Sequence, residues 1–310
     1  MPEFPEVYTI VKDLDRVVKR RKFRRVEIEE GYKVLPENSK FKEAVEGKAA
    51  EGAEQIAKNI IIKLEGNAYI NIHLAMSGQV LLKKKNKKLR WERVTFTLEP
   101  LQEQIPKQIQ KDAPNTKENG KKETNSILYL AYRSIRMFGK VELLNQIQYE
   151  ELKKKYGPPP LFKEVDAKKF HEIIRSRNTN IKNLLMDQTK IGGLGNIYAT
   201  EALFRAQIHP ESRTQNISLE KSEKLWRAVK EVTNEGIKNR GSTLEDELYV
   251  DIFGKKGTQQ EHFQVYSREV CVKCKGKIKR KKISGRNTYF CKTCQELVEK
   301  EKTKEGLFDA

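Results

Sequence analysis

Tyr156-Gly157-Pro158-Pro159-Pro160 is the stretch on which the reading of this chain turns. Three successive prolines donate no backbone N–H and fix φ, so neither a helix interior nor an inner strand accepts them. Apolar residues recur every second position before the stretch and every third or fourth position after it. A stiff connector between two periodicities predicts two domains of different class. The 310 residues are enough for both, since domains usually run about 100–200 residues.

Working back from the connector, alternation runs from Phe23 to about Leu144. Val26 and Ile28 alternate, as do Ala68, Ile70, Ile72 and Leu74, then Val94, Phe96 and Leu98. Ile60–Ile62 and Ile127–Tyr132 are denser apolar runs that suit strands buried on both faces. Short strands at this spacing predict a β-sandwich. Ahead of them Val7, Ile10, Val11, Leu14, Val17 and Val18 mark one face of a flanking helix. From Glu99 to Asn125 the chain is polar and without an aromatic residue. It has little to bury, so a mobile insertion at about 99–125 is expected.

Beyond the connector, Phe170, Ile173 and Ile174 share one helical face, followed by Ile181, Leu184 and Leu185. The turn Gly192-Gly193-Leu194-Gly195 leads into a helix from Asn196 to Phe204, and Ser218 opens another carrying Leu225, Trp226, Val229 and Val232. Two helices joined by a glycine turn suggest a helix-turn-helix element, although such turns are common.

Cys271-x-x-Cys274 and Cys291-x-x-Cys294 are separated by sixteen residues and use every cysteine of the chain. This is the spacing of a four-cysteine zinc ribbon, whose closed S4 shell makes the predicted zinc structural rather than catalytic. Between Cys271 and Cys294 lie nine Lys or Arg residues and no acid. The whole chain carries 62 Lys+Arg against 43 Asp+Glu, a net +19. Such an excess favours a polyanion, nucleic acid ahead of an anionic membrane; its plainer reading is a solvated lysine-rich surface. No apolar run reaches the roughly 18–20 residues that would span a bilayer. No secretory signal is visible either, so an intracellular, cytoplasmic location is expected. In that reducing environment four cysteines suit a metal better than disulfides.

Four shorter features have ordinary readings of their own. In Met1-Pro2-Glu3-Phe4-Pro5-Glu6, Pro5 and Glu6 suit a helix start, but Pro2 and Glu3 do not need one. If Met1 is removed, Pro2 carries a free secondary amine, a nucleophile, beside a carboxylate. Lys58 precedes Ile60–Ile62 and could equally be a solvated lysine. His73-Leu-Ala-Met76-Ser-Gly78 ends a strand in a turn, where Met76 could serve as core filler. Ser134-Ile-Arg136-Met137-Phe138-Gly139 follows another strand and sets a cation near a ring.

Taken in order, MPEFPEV, AKNIIIKL, HLAMSG, IRMFG, LMDQTKIGGLGNIYATEALF and CVKC…GRNTYFCKTC resemble the formamidopyrimidine-DNA glycosylase family, which includes endonuclease VIII. The resemblance spans residues 1 to about 296, and MPEFPEV with DQTKIGGLGNIY is closer to the formamidopyrimidine branch. It implies a Schiff-base mechanism in which Pro2 attacks C1′ of the damaged nucleotide and Glu3 assists opening of the sugar. It further implies that Lys58 supports strand cleavage, that Arg286 of the zinc hairpin and Asn196 grip phosphate, and that Met76, Arg136 and Phe138 fill the gap left by a flipped base. Ser134, Ile135 and Met137 stand where the family usually has Asp, Pro and Arg. Arg93 stands where many relatives place a histidine near the phosphates, and DNA contact is expected of it.

The resemblance thus implies an α+β protein of two domains. Residues 1–145 form a catalytic β-sandwich with a flanking helix, and 146–262 a helical DNA-binding domain with a helix-two-turn-helix. A zinc-finger hairpin follows at 263–296 and a mobile tail at 297–310. The implied activity is a bifunctional glycosylase and abasic-site lyase of base excision repair, acting as a monomer on double-stranded DNA. Its substrates would be oxidised purines such as 8-oxoguanine and formamidopyrimidines, with one structural zinc and no organic cofactor. Two alternatives are an endonuclease VIII-like enzyme for oxidised pyrimidines and a non-catalytic zinc-ribbon protein that binds damaged DNA.

Overall fold

The computed structural model describes residues 1–101 and 126–299. It divides into two compact units. The first comprises Met1–Pro2, Glu6–Lys153 and Thr243–Gly257, and the second Glu3–Pro5, Lys154–Ser242 and the chain from Thr258 onward.

The first unit is a β-sandwich. Its strands are β1 (Arg21–Ile28), β2 (Ala50–Ile56), β3 (Asn59–Leu64), β4 (Ala68–His73), β5 (Gly78–Lys83), β6 (Glu92–Pro100), β7 (Leu128–Ser134) and β8 (Lys140–Leu144). They form two four-stranded antiparallel sheets, in the orders β1-β6-β7-β5 and β2-β3-β4-β8. Alternation decides which residues meet inside. Phe23, Val26, Val80, Phe96 and Leu130 of one sheet share a core with Ile60, Ile62, Ile70, Ile72 and Val141 of the other. Ile61 is fully buried as well, so β3 is covered on both faces as its unbroken apolar run predicts.

Helix α1 (Phe4–Val18) adds Val7, Ile10, Val11, Leu14 and Val18 to that core. A second helix, α2 (Asn38–Val45), contributes Phe41 and Val45. The segment Thr243–Gly257, which the sequence reading assigned to the helical domain, instead belongs to this unit. Tyr249 and Ile252 enter the sandwich core, and Leu82 N–H donates to the Ile252 carbonyl at 2.7 Å. Helix α3 (Gln146–Lys155) follows β8.

The second unit is built on α4 (Ala167–Arg175), α5 (Ile181–Met186), α6 (Asn196–Arg205) and α7 (Leu219–Lys238). Asp166, Asn180 and Ser218 cap α4, α5 and α7 by accepting backbone N–H groups three residues on. Phe170 of α4 stacks on Trp226 of α7 with centroids 4.5 Å apart, and the indole N–H donates to the Val165 carbonyl at 2.8 Å. Strands β9 (Lys279–Ile283) and β10 (Arg286–Phe290) form a hairpin.

Two expected boundaries move. Glu99 and Pro100 lie in β6, where Glu99 pairs with Lys22 in register, so the strand continues into the polar stretch. At the other end Val298 is buried and its N–H donates to Ser212 Oγ at 3.0 Å, so the chain is still anchored at Val298, inside the segment expected to be a mobile tail. The remainder of the expected insertion, 102–125, and of the tail, 300–310, lies outside the described residues.

Candidate active site and metal centre

The start of the chain is held from inside the second unit. Glu3 is only 3% exposed. Its carboxylate accepts the N–H of Ile197 at 2.9 Å and of Tyr198 at 3.3 Å, two groups that the first turn of α6 leaves without helical partners. A carboxylate at the positive end of a helix is favoured further by the helix dipole. The turn before α6 is shaped for it, since a Cβ on Gly195 would lie 2.3 Å from Glu3 Cδ. Phe4 N–H donates to the Gly193 carbonyl at 2.9 Å. Pro5 fills the space that Gly236 leaves open in α7, where an added Cβ would stand 2.8 Å from Pro5 Cγ. Pro2, the residue before Glu3, is buried, while Met1 is 46% exposed.

Around the same helix start lie Asn196, Lys182 and the β9–β10 turn. Asn196 Nδ2 donates to the Asn287 carbonyl at 3.0 Å, tying α6 to the residue after Arg286. Arg286 is exposed beside the turn Ser284-Gly285, whose φ angles of 49° and 76° are those of a tight hairpin. Lys182 Nζ donates to the Asn196 carbonyl at 3.1 Å and to Thr200 Oγ1. Burial lowers its pKa to about 7; Arg286 pushes the same way, and Glu3 partly opposes them.

In the first unit Lys58 follows Ala57 (φ 53°) in the two-residue turn between β2 and β3 and is 8% exposed. This corrects the ordinary reading of a solvated lysine. The β4–β5 turn exposes Met76, and Arg136 Nη1 lies 3.9 Å from its Sδ. Arg136 N–H donates to Ser77 Oγ at 3.1 Å. Met137, at φ 54°, and Phe138 are 56% and 68% exposed. Gly139 closes the loop where a Cβ would lie 2.5 Å from the His73 carbonyl. Met76 and Arg136 are therefore together. Arg93 is turned inward, donating through Nε to the Ser134 carbonyl at 3.0 Å and pairing with Glu29. It supports the base of the 134–139 loop.

The four cysteine sulfurs lie within 4.8 Å of one another. A tetrahedron with metal–sulfur bonds of about 2.3 Å has sulfur–sulfur edges of about 3.8 Å. The Cys271–Cys294 and Cys274–Cys291 separations are 3.8 and 3.5 Å. The residues present therefore fit a four-coordinate zinc. Phe204, Val265 and Ile278 pack against the cluster.

Three family models match this chain. Residues 1–111 match the formamidopyrimidine-DNA glycosylase N-terminal domain, 156–247 its H2TH domain, and 268–297 the zinc finger found in FPG and IleRS. A formamidopyrimidine-DNA glycosylase of Chloroflexus aurantiacus is 34% identical over 95% of this chain and 98% of its own length. One from Pelotomaculum thermopropionicum is 34% identical over 96% and 100%. The chain belongs to the formamidopyrimidine-DNA glycosylase family. Among solved members, wild-type Lactococcus lactis Fpg in complex with DNA containing N7-benzyl-Fapy-dG superimposes with a TM-score of 0.79 at 29% identity, over 95% of this chain and all of that one. The Lactococcus lactis Fpg complex with DNA containing an abasic site gives 0.79 at 28% identity, over 95% and 99%.

Sequence reasoning missed two buried charges in this glycosylase fold. Lys182 lies beside Asn183 in α5 and reads as any polar helix position, so no local signal marks its burial. Glu201, 2% exposed in α6, accepts the N–H groups of Gln264, Val265 and Tyr266 at 2.8–3.0 Å and so anchors the chain leading into the zinc finger.

Proposed function

We propose that this protein is a bifunctional DNA glycosylase and abasic-site lyase of base excision repair, with oxidised purines, 8-oxoguanine and formamidopyrimidines, as its substrates. The observation that carries the reading is the buried Glu3 carboxylate on the N-terminus of α6. A chain end fixed by two backbone hydrogen bonds one residue after Pro2 is a costly device for a protein that only binds DNA. It is what a nucleophilic terminus requires.

In this reading Met1 is removed and the Pro2 nitrogen, with a lone pair and one hydrogen, attacks C1′ of the damaged nucleotide. The C1′–N bond to the base breaks and the base leaves as its anion. The departing base takes its proton from water. The Glu3 carboxylate accepts the proton of the ammonium formed at Pro2 and passes it to the ring oxygen, so the C1′–O4′ bond breaks as the nitrogen lone pair forms the iminium between Pro2 and C1′. Loss of a C2′ proton then expels the 3′ phosphate by β-elimination, and hydrolysis of the iminium regenerates Pro2. Lys58 serves the elimination, and Arg286 and Asn196 hold phosphate. Met76, Arg136 and Phe138 occupy the vacated stack, offsetting the few kcal/mol that flipping costs. Arg93 is proposed to contact DNA as well as to support the 134–139 loop.

Cys271, Cys274, Cys291 and Cys294 would hold one Zn2+, which braces the hairpin carrying Arg286. The protein is proposed to act as a monomer on double-stranded DNA inside the cell. Among the described residues no helix is long and apolar enough to cross a membrane.

Borohydride trapping on duplexes carrying 8-oxoguanine, an oxidised pyrimidine or a plain abasic site tests the reading. A covalent adduct, fastest among the base lesions with 8-oxoguanine, is expected. Faster trapping on the oxidised pyrimidine would move the enzyme to an endonuclease VIII-like specificity. No adduct on any substrate, with protein shown to begin at Pro2, would leave only the binding-protein alternative.

A further inference from the structure

The loop between β5 and β6 holds five cations in the seven residues 84–90 (Lys84, Lys85, Lys87, Lys88 and Arg90) and no acid. The nearest acid in sequence, Glu92, is 5% exposed and faces inward. Its carboxylate receives Lys83 Nζ at 2.8 Å on both oxygens and the Leu89 N–H at 2.9 Å, while Lys83 Nζ also donates to the Lys87 carbonyl at 3.0 Å. One buried acid thus draws the two ends of the loop together and is itself consumed inside. Lys85, Lys87 and Lys88 point their charge outward; only Lys88 has an acid near it, Glu29 at a loose 3.9 Å.

The C-terminal end of the loop is tied down. Two guanidiniums lie over the Trp91 ring, Arg90 with Cζ 4.1 Å and Arg133 with Cζ 5.6 Å from its centroid. The Trp91 carbonyl accepts the Ser134 N–H at 3.0 Å, and Arg93 Nε grips the Ser134 carbonyl. Ser134 is also where the Arg136 loop begins. The segment that ends the lysine loop and the one that begins the Arg136 loop are therefore both fastened to Ser134.

We infer that residues 84–90, with Arg133, form an additional phosphate-backbone contact that holds the duplex beside the Arg136 loop without reading sequence or lesion. The inference rests on the DNA-repair reading above and adds a binding surface that the reading does not require. A row of exposed cations on an anchored loop, led by Lys85, Lys87 and Lys88, suits a linear polyanion. Each phosphate neutralised releases counterions, so the contact is visible as salt dependence.

The test compares two triple variants of the full-length protein on one undamaged duplex. Lys85→Gln, Lys87→Gln and Lys88→Gln remove three loop charges. Lys163→Gln, Lys168→Gln and Lys169→Gln remove three exposed charges at the start of α4, which controls for net charge. Fluorescence anisotropy at graded salt gives the slope of log K against log salt, about 0.9 per phosphate contact. The loop triple is expected to make the slope shallower by about 2 and to weaken low-salt binding more than tenfold. The α4 triple should change the slope by less than half as much. Equal changes in the two, or an unchanged slope for the loop triple, would overturn the inference. Borohydride trapping of the parent protein is read separately: its failure would sink the Schiff-base chemistry and leave the slope comparison interpretable.

Discussion

Glu3 and Phe138 are at opposite extremes of burial. Glu3 is 3% exposed and held by two backbone N–H groups, with Gly195 cleared of a side chain to admit it. Phe138 is 68% exposed on a loop whose other apolar residues, Ile135 and Met137, also face water. The first region is fully determined by the fold before any ligand arrives. The second keeps apolar surface that has no folded-state purpose, which is what a wedge waiting for a gap in stacked bases would do. On the proposed reading, the contrast is between a preorganised site where a bond would be made and an exposed loop where the duplex would be deformed.

The largest effect should come from filling the space at Gly195. In Gly195→Ala the new Cβ overlaps the Glu3 carboxyl, so the carboxylate must leave the helix start. Adduct formation should fall by more than a hundredfold, as about 3 kcal/mol of positioning is lost, while anisotropy still reports DNA binding. Wild-type trapping rates in this variant would break the comparison. Zinc removal comes next. Chelation under denaturing conditions should release one zinc per chain, and refolding without metal should abolish lesion binding, because the hairpin carrying Arg286 loses its brace.

Glu3→Gln keeps the shape but turns an NH2 group towards a backbone donor. Thermal unfolding should report a loss of about 1–3 kcal/mol, with trapping impaired beyond what that loss explains. Lys182 provides a pH signature. Its folded pKa is about 7 against an ordinary 10.5, so between those values the unfolded chain binds the extra proton. This group therefore makes stability rise with pH across that window. Denaturant titrations at pH 7 and 9.5 should show the rise in the parent and a flatter response in Lys182→Met. The smallest stability effect belongs to Phe138→Ala, within about 0.5 kcal/mol, yet excision from duplex DNA should slow about tenfold. A large fall in melting temperature would mean that the ring is part of the folded structure and not held in reserve.

Much of this was legible because local pattern and tertiary outcome agree. Alternation at Ile70–Ile72 and Val94–Leu98 became sandwich strands, and the paired Cys-x-x-Cys knuckles became a cluster with tetrahedral spacing. What escaped depended on partners far away in sequence. Nothing near Thr243–Gly257 announces that Tyr249 and Ile252 will enter the core of the sandwich. Lys182 reads as an ordinary helix lysine until the Asn196 carbonyl and Thr200 are placed beside it. Nothing near Arg93 announces that Glu29 and the Ser134 carbonyl, sixty-four and forty-one positions distant, will take up its Nη1 and Nε. Glu99 and Pro100 are too polar to mark a strand by themselves; the pairing with Lys22 and Arg21 carries them into β6.

The central claim is that the fixed chain end presents Pro2 as the nucleophile. Its most direct test is peptide mapping by mass spectrometry of the borohydride-trapped adduct on abasic duplex DNA. Protein beginning at Pro2 is compared with protein bearing one glycine ahead of it. The adduct should map to the Pro2 nitrogen and should vanish when the glycine is present, with DNA affinity retained. An adduct on Lys58 or Lys182, or one that survives the added glycine, would contradict the account.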